Sequence, residues 1–192
     1  MFDLVYPEEP APLLKVKAVH GNTEVLPVVE STGLVIGRST RKACHEYGLL
    51  HPVVHLQIVN HFGKIYLQKR SATKDLLPNH WDTAVGGHVS YGESLMEALV
   101  REAGEELGLF DFNPVYLKSY VYTNSCEAEL VNIFALVTDR AINPDSDEVS
   151  EGRWWSTEEI ELAAAHGTET EALTPQFEQE YADIRDSLLA LI

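Results

Sequence analysis

The run from Ser94 to Leu107 contains no proline, and within it Met96, Leu99, Val100, Ala103 and Leu107 recur at helical spacing. One stripe of a helix is therefore predicted to face a core. The same helix carries Glu102, Glu105 and Glu106 on another face, with Glu93 and Glu97 close by in sequence. Like charges three and four residues apart destabilise an isolated helix by roughly 0.2–0.5 kcal/mol per pair. A cation among the carboxylates would offset that repulsion, and hard oxygen donors suit Mg²⁺ or Mn²⁺. Taken alone, an acidic run of this kind reads as a solvated helix face, so its surroundings decide.

Those surroundings are specific. The segment Gly87–Leu109, GHVSYGESLMEALVREAGEELGL, resembles the Nudix box, G-x5-E-x7-R-E-U-x-E-E-x-G-U with U apolar. Gly87, Glu93, Arg101, Glu102, Ala103, Glu105, Glu106, Gly108 and Leu109 fill its specified positions. Helical periodicity supplies the structural context that a motif match needs. The resemblance implies an α/β fold, a Nudix-type α/β/α sandwich with a mixed β-sheet. It also implies a hydrolase that cleaves a diphosphate linkage in a nucleoside diphosphate derivative or a related organic diphosphate. By the same resemblance Glu102, Glu105 and Glu106 hold Mg²⁺, or Mn²⁺ in its place, and the ion lowers the pKa of a bound water that attacks phosphorus. Arg101 and Glu93 would brace the loop and helix, since the planar guanidinium holds a carboxylate through paired hydrogen bonds. Any one of the glutamates could instead act as general base.

A formal charge of −16 argues against nucleic acid as a partner, because sequence-independent binding requires a basic surface that displaces counterions. The same field opposes an anionic small-molecule diphosphate, so cations must compensate at the site. Hydrophobic residues make up 45% of the 192 residues, which excludes a mainly disordered chain. No apolar run approaches the ~20 residues that span a bilayer, so no membrane partner is expected. The opening MFDLVYPEEPAP lacks a basic region followed by an apolar stretch, and a cytoplasmic location is expected. Cys44 and Cys126 have neither metal-like spacing nor the density of a disulfide scaffold, and read as packing residues. A homodimer is expected from the family resemblance.

Pro7, Pro10 and Pro12 make residues 1–14 an extended or disordered arm. Residues 15–192 are read as a single domain, with a hairpin and short helix over 15–48 and the core over 49–192. Glu24–Glu30 and Leu34–Gly37 flank a turn at Ser31-Thr32-Gly33, and Thr40–Tyr47 form a helix that stops at Gly48. Strands are predicted at Val53–Asn60, Ile65–Lys69, Thr83–Val89, Val115–Tyr122, Leu130–Thr138 and Gly152–Trp155, with a loop over Ser71–Trp81 and a surface loop over Ile142–Glu148. Two helices, Thr157–His166 and Pro175–Leu191, close the chain, capped by Ser156 or Thr157 and by Thr174.

Over roughly residues 35–160 the chain also resembles isopentenyl-diphosphate isomerase and the Nudix hydrolases nearest to it. The shared pattern is H-x5-H, then QKRSATKDLLPNHWDTAVGGH, then E-A-E beside Cys126, then W-W before a helix. The isomerase resemblance implies metal binding by His45, His51, His88, Glu127 and Glu129, and diphosphate binding by Arg41, Arg70 and Lys74. Two departures favour hydrolysis over isomerisation. Gly86 stands where the isomerase has its catalytic cysteine, and the acidic set of the box, which the isomerase has degraded, is intact. The expected substrate-binding residues are Arg70, Lys74, Gly87 and Glu129, because a cation beside a diphosphate offsets its charge. Trp81, Trp154 and Trp155 are aromatic enough to stack on a base but equally suited to a core. A third reading is a sensor that binds a nucleotide or sugar diphosphate without chemistry.

Overall fold

The computed structural model describes residues 3–9, 11–14, 24–73, 76–145, 149–167 and 171–192. Lys74, Pro10 and residues 146–148 of the predicted surface loop lie outside them. Two compact units emerge. One comprises Met1–Val54, Gly87–Leu99 and Lys118–Ile133, and the other His55–Gly86, Val100–Leu117 and Phe134–Ile192. The expected α/β architecture is present, with a two-stranded hairpin separate from a seven-stranded sheet.

In the first unit, β1 (Val25–Val29) and β2 (Val35–Thr40) pair antiparallel from Val25↔Thr40 to Val29↔Val35, with a bulge at Val28/Val29. Gly33 takes the left-handed φ of 84° that the connecting turn requires. The N-terminal segment is extended along this hairpin through parallel bridges Val5↔Leu34 and Leu13↔Arg38. Thr40 ends β2 and caps α1 (Arg41–Tyr47) by accepting from the Ala43 N–H, and Gly48 terminates the helix in the left-handed region at φ 58°. Leu26, Val28 and Cys44 form a small core here.

The large sheet runs β5-β4-β3-β8-β7, with β6 beside β3 and β9 beside β4. Its strands are β3 (His51–Val59), β4 (Ile65–Arg70), β5 (Trp81–Asp82), β6 (Val85–His88), β7 (Val115–Thr123), β8 (Ala128–Val137) and β9 (Val149–Trp155). Every residue of β3 is buried, as expected for a central strand rich in β-branched side chains. Trp81–Asp82 falls within and just past the predicted loop. Two residues are too few to show a strand period, and pairing with Gln68 and Lys69 creates this one.

α2 (Leu95–Leu107) confirms the predicted helix but rotates its buried stripe. Leu95, Ala98, Leu99, Ala103 and Leu107 are buried, as is Glu106, whereas Met96 and Val100 are half-buried. In the second unit, β4 and β9 pair antiparallel from Ile65↔Trp155 to Arg70↔Val149. Around them Leu67, Trp81, Trp155, Ile160, Phe177 and Leu188 form one core cluster, each such side chain contributing about 1.5–3 kcal/mol of burial. α3 (Thr157–His166) starts with a full capping box, Ser156 with Glu159. α4 (Pro175–Leu189) starts with Thr174 accepting from Phe177 N–H and proline in the first turn.

Candidate active site

The acidic face of α2 is built differently at each carboxylate. Glu106 is 7% exposed, and its Oε2 accepts from Gln68 Nε2 at 3.1 Å and from the Gly86 N–H at 3.3 Å. One turn earlier, Arg101 Nη1 donates to Glu102 Oε1 at 2.7 Å and to Glu105 Oε2 at 3.3 Å. Arg101 therefore offsets the repulsion that these glutamates impose on the helix. Glu102 is half-buried and Glu105 exposed, so the set grades from a fixed buried carboxylate to a solvated one.

This donor set suits a hard divalent ion. Carboxylate oxygens are the ligands Mg²⁺ and Mn²⁺ prefer, and Glu106 is oriented by partners on β4 and β6 in the manner that outer-shell hydrogen bonds orient metal ligands. Neither Gln68 nor the Gly86 N–H belongs to the Gly87–Leu109 sequence motif. Gln68 sits in an ordinary half-polar strand and a backbone N–H has no sequence signature, so neither announces itself before folding.

In the first unit, Glu93 Oε2 accepts from the Ser90 N–H at 2.9 Å, closing the loop ahead of α2. Gly87 lies half-buried on β6. Glu129 is buried on β8, while Glu127 precedes that strand and accepts from Asn124 Nδ2 at 3.0 Å. The three histidines converge. Ring nitrogens of His45, His51 and His88 all lie within 4.8 Å of one another, with His45 Nε2 and His88 Nε2 3.3 Å apart. His51 is fully buried, with Nδ1 2.8 Å from the Leu49 carbonyl and Nε2 lacking a hydrogen-bond partner among the described residues. Burial pushes the His51 imidazole down to about 4. Burial, with help from Arg41, also lowers His45. Neutral imidazoles are the ligating form, and three of them suit a transition ion better than Mg²⁺.

Among the described residues, the cationic candidates Arg70 and Arg41 are engaged. Arg70 Nη1 donates to Asp82 Oδ2 at 3.0 Å, and its Nε and Nη2 donate to the Leu76 carbonyl at 3.2 and 3.1 Å. Arg41 pairs with Glu24 at 3.3 Å. Trp81 and Trp155 are core residues, 2% and 1% exposed, packed edge to face, and Trp154 packs on Tyr66. Cys44 is a packing residue as predicted, but Cys126 is not. It is exposed on the bend before β8.

Known proteins resemble this chain in sequence and in fold. The NUDIX domain model matches residues 49–177. An uncharacterised Nudix hydrolase of Nostoc sp. (strain PCC 7120) is 33% identical over 144 residues, covering 71% of this chain and 83% of that protein. An isopentenyl-diphosphate Delta-isomerase of Photorhabdus laumondii is 30% identical over 141 residues, covering 70% of this chain and 79% of that enzyme. The crystal structure of DR0079 from Deinococcus radiodurans matches with a TM-score of 0.69 at 28% identity, over 81% of this chain and 96% of that one.

Proposed function

From the premise that this chain belongs to the Nudix family and is a hydrolase, we propose that it cleaves the diphosphate linkage of a nucleoside diphosphate derivative or related organic diphosphate with the help of a divalent metal. The observation that carries the reading is the buried, doubly hydrogen-bonded Glu106 on the same helix as Glu102 and Glu105. Those three residues would hold Mg²⁺ or Mn²⁺. When bound, the ion neutralises the diphosphate and makes a water nucleophilic near neutral pH.

The protein's own residues set the stage for that water. Gln68 and the Gly86 N–H fix the Glu106 carboxylate, so ligand geometry costs little to form. Arg101 holds Glu102 and Glu105 in reach of each other. Glu93, Gly87, Glu129, Arg70 and Lys74 belong to the proposed site through the family motif and the isomerase-like pattern. An isomerase reading is disfavoured by Gly86, which offers no thiol for protonation at carbon. A homodimer in the cytoplasm is proposed on the sequence reading alone.

The test is a panel of nucleoside diphosphate sugars, dinucleoside polyphosphates, NADH, CoA and prenyl diphosphates with Mg²⁺ or Mn²⁺, reading monophosphate release. Metal-dependent cleavage of one compound well above the rest is expected. Binding without cleavage across the panel would point instead to a sensor, and turnover of a prenyl diphosphate without phosphate release to an isomerase.

A further inference from the structure

α4 turns Phe177, Glu180, Tyr181, Ile184 and Leu188 inward, an apolar stripe interrupted by one carboxylate. Glu180 is 2% exposed. Both its oxygens are held from β3, where His55 Nδ1 lies 2.8 Å from Oε2 and Gln57 Nε2 donates to Oε1 at 2.5 Å. His55 and Gln57 are alternate residues of one strand and share a face. A buried pair of this kind contributes little net stability compared with apolar side chains of the same volume. The arrangement also leaves Gln57 Oε1 buried without a partner among the described residues. Stability alone does not account for it.

The other edge of the imidazole is turned toward Gly86. A Cβ at Gly86 would sit 3.5 Å from His55 Cδ2 and 3.6 Å from His55 Nε2, so this edge lies against the glycine. The N–H of the same glycine donates to Glu106 Oε2. His55 Nε2 and the Glu106 carboxylate thus both border Gly86, one beside its Cα and the other on its N–H. A carboxylate on Nδ1 fixes the tautomer that accepts a proton at Nε2, the base-and-orienter logic of activated nucleophiles.

Resting on the hydrolytic reading above, we propose that His55 is the proton acceptor for the attacking water and that Glu180 is its positioning residue. The water oxygen forms the new bond to phosphorus as its proton passes to Nε2. The bond from that phosphorus to the bridging oxygen breaks, and its electron pair leaves with the phosphate product. Glu180 offsets the charge of the imidazolium, whose proton then passes to the leaving phosphate oxygen or to solvent.

The experiment compares His55→Gln, His55→Ala and Glu180→Gln with the native chain and with Glu106→Gln, on whichever panel compound is cleaved fastest. Glutamine at 55 can still donate to Glu180 but cannot carry a proton between molecules. The expected result is a kcat lowered about 10²–10⁴-fold in His55→Gln and about 10–100-fold in Glu180→Gln, with KM within about threefold of native by the same reasoning. Both variants should keep the Mg²⁺-induced rise in Tm. Added imidazoles should restore His55→Ala turnover in proportion to their basicity. A His55→Gln kcat within about threefold of native overturns the proposal, as does rescue that is indifferent to basicity, which marks simple filling of a cavity. Full turnover in Glu106→Gln beside a loss in His55→Gln would instead sink the metal-ligand reading and leave His55 standing.

Discussion

Glu106→Gln separates metal binding from folding, because the structure sets opposing terms on the apo protein. Glutamine keeps the size and an acceptor oxygen for Gln68 and the Gly86 N–H. Each bond loses its charge assistance, about 1 kcal/mol apiece. Relief of the i,i+4 repulsion with Glu102 returns roughly 0.2–0.5 kcal/mol, and an uncharged group is easier to bury. The metal-free variant should therefore lie within about 1–2 kcal/mol of native by those figures. Saturating metal acts on a different scale. At a Mg²⁺ concentration one hundred times Kd, binding stabilises the native chain by about 2.7 kcal/mol. For a chain of this size that raises Tm by roughly 5–11 °C. Differential scanning calorimetry with and without MgCl₂ should show that rise in the native protein and its loss in Glu106→Gln. Turnover should fall at least the roughly 10–100-fold that even outer-shell changes cost. An equal Mg²⁺-induced rise in both proteins would refute the assignment of Glu106 as a ligand.

Gly152→Ala should destabilise by about 1–3 kcal/mol, seen as a lower urea midpoint, because a Cβ there overlaps the phenol of Tyr66, itself 3% exposed and packed on Trp154. An unchanged midpoint would mean that Tyr66 has room to move. Phe177→Ala, at a residue 1% exposed in the α4 stripe, should cost about 3–5 kcal/mol, and a cost under about 1 kcal/mol would contradict that packing. Of the two thiols, Cys126 should react with a disulfide reagent at pH 8 in the native protein. Cys44, fully buried and pushed up to about 11 by that burial, should react only in denaturant. Fast reaction of both without denaturant would place Cys44 at the surface.

Much of this protein was legible in its residues. The spacing of Leu99, Ala103 and Leu107 predicted α2, and the caps at Ser156 and Thr174 predicted where α3 and α4 begin, because helix periodicity and end chemistry are local. The intact box pointed to the family, and the match over residues 49–177 agrees. Other features depend on partners distant in sequence. Glu106 reads in sequence as one of three carboxylates on a shared helix face, and its burial against Gln68 and the Gly86 N–H, held beside it by β4 and β6, comes from tertiary structure. Trp81–Asp82 becomes a strand by pairing with β4 rather than by any pattern of its own. Glu180 is one acid among many in an acidic C-terminal stretch until α4 turns it onto His55 and Gln57. A one-dimensional pattern encodes which face of an element is apolar, but which polar group is desolvated, and by what partner it is then satisfied, is decided when separate elements meet.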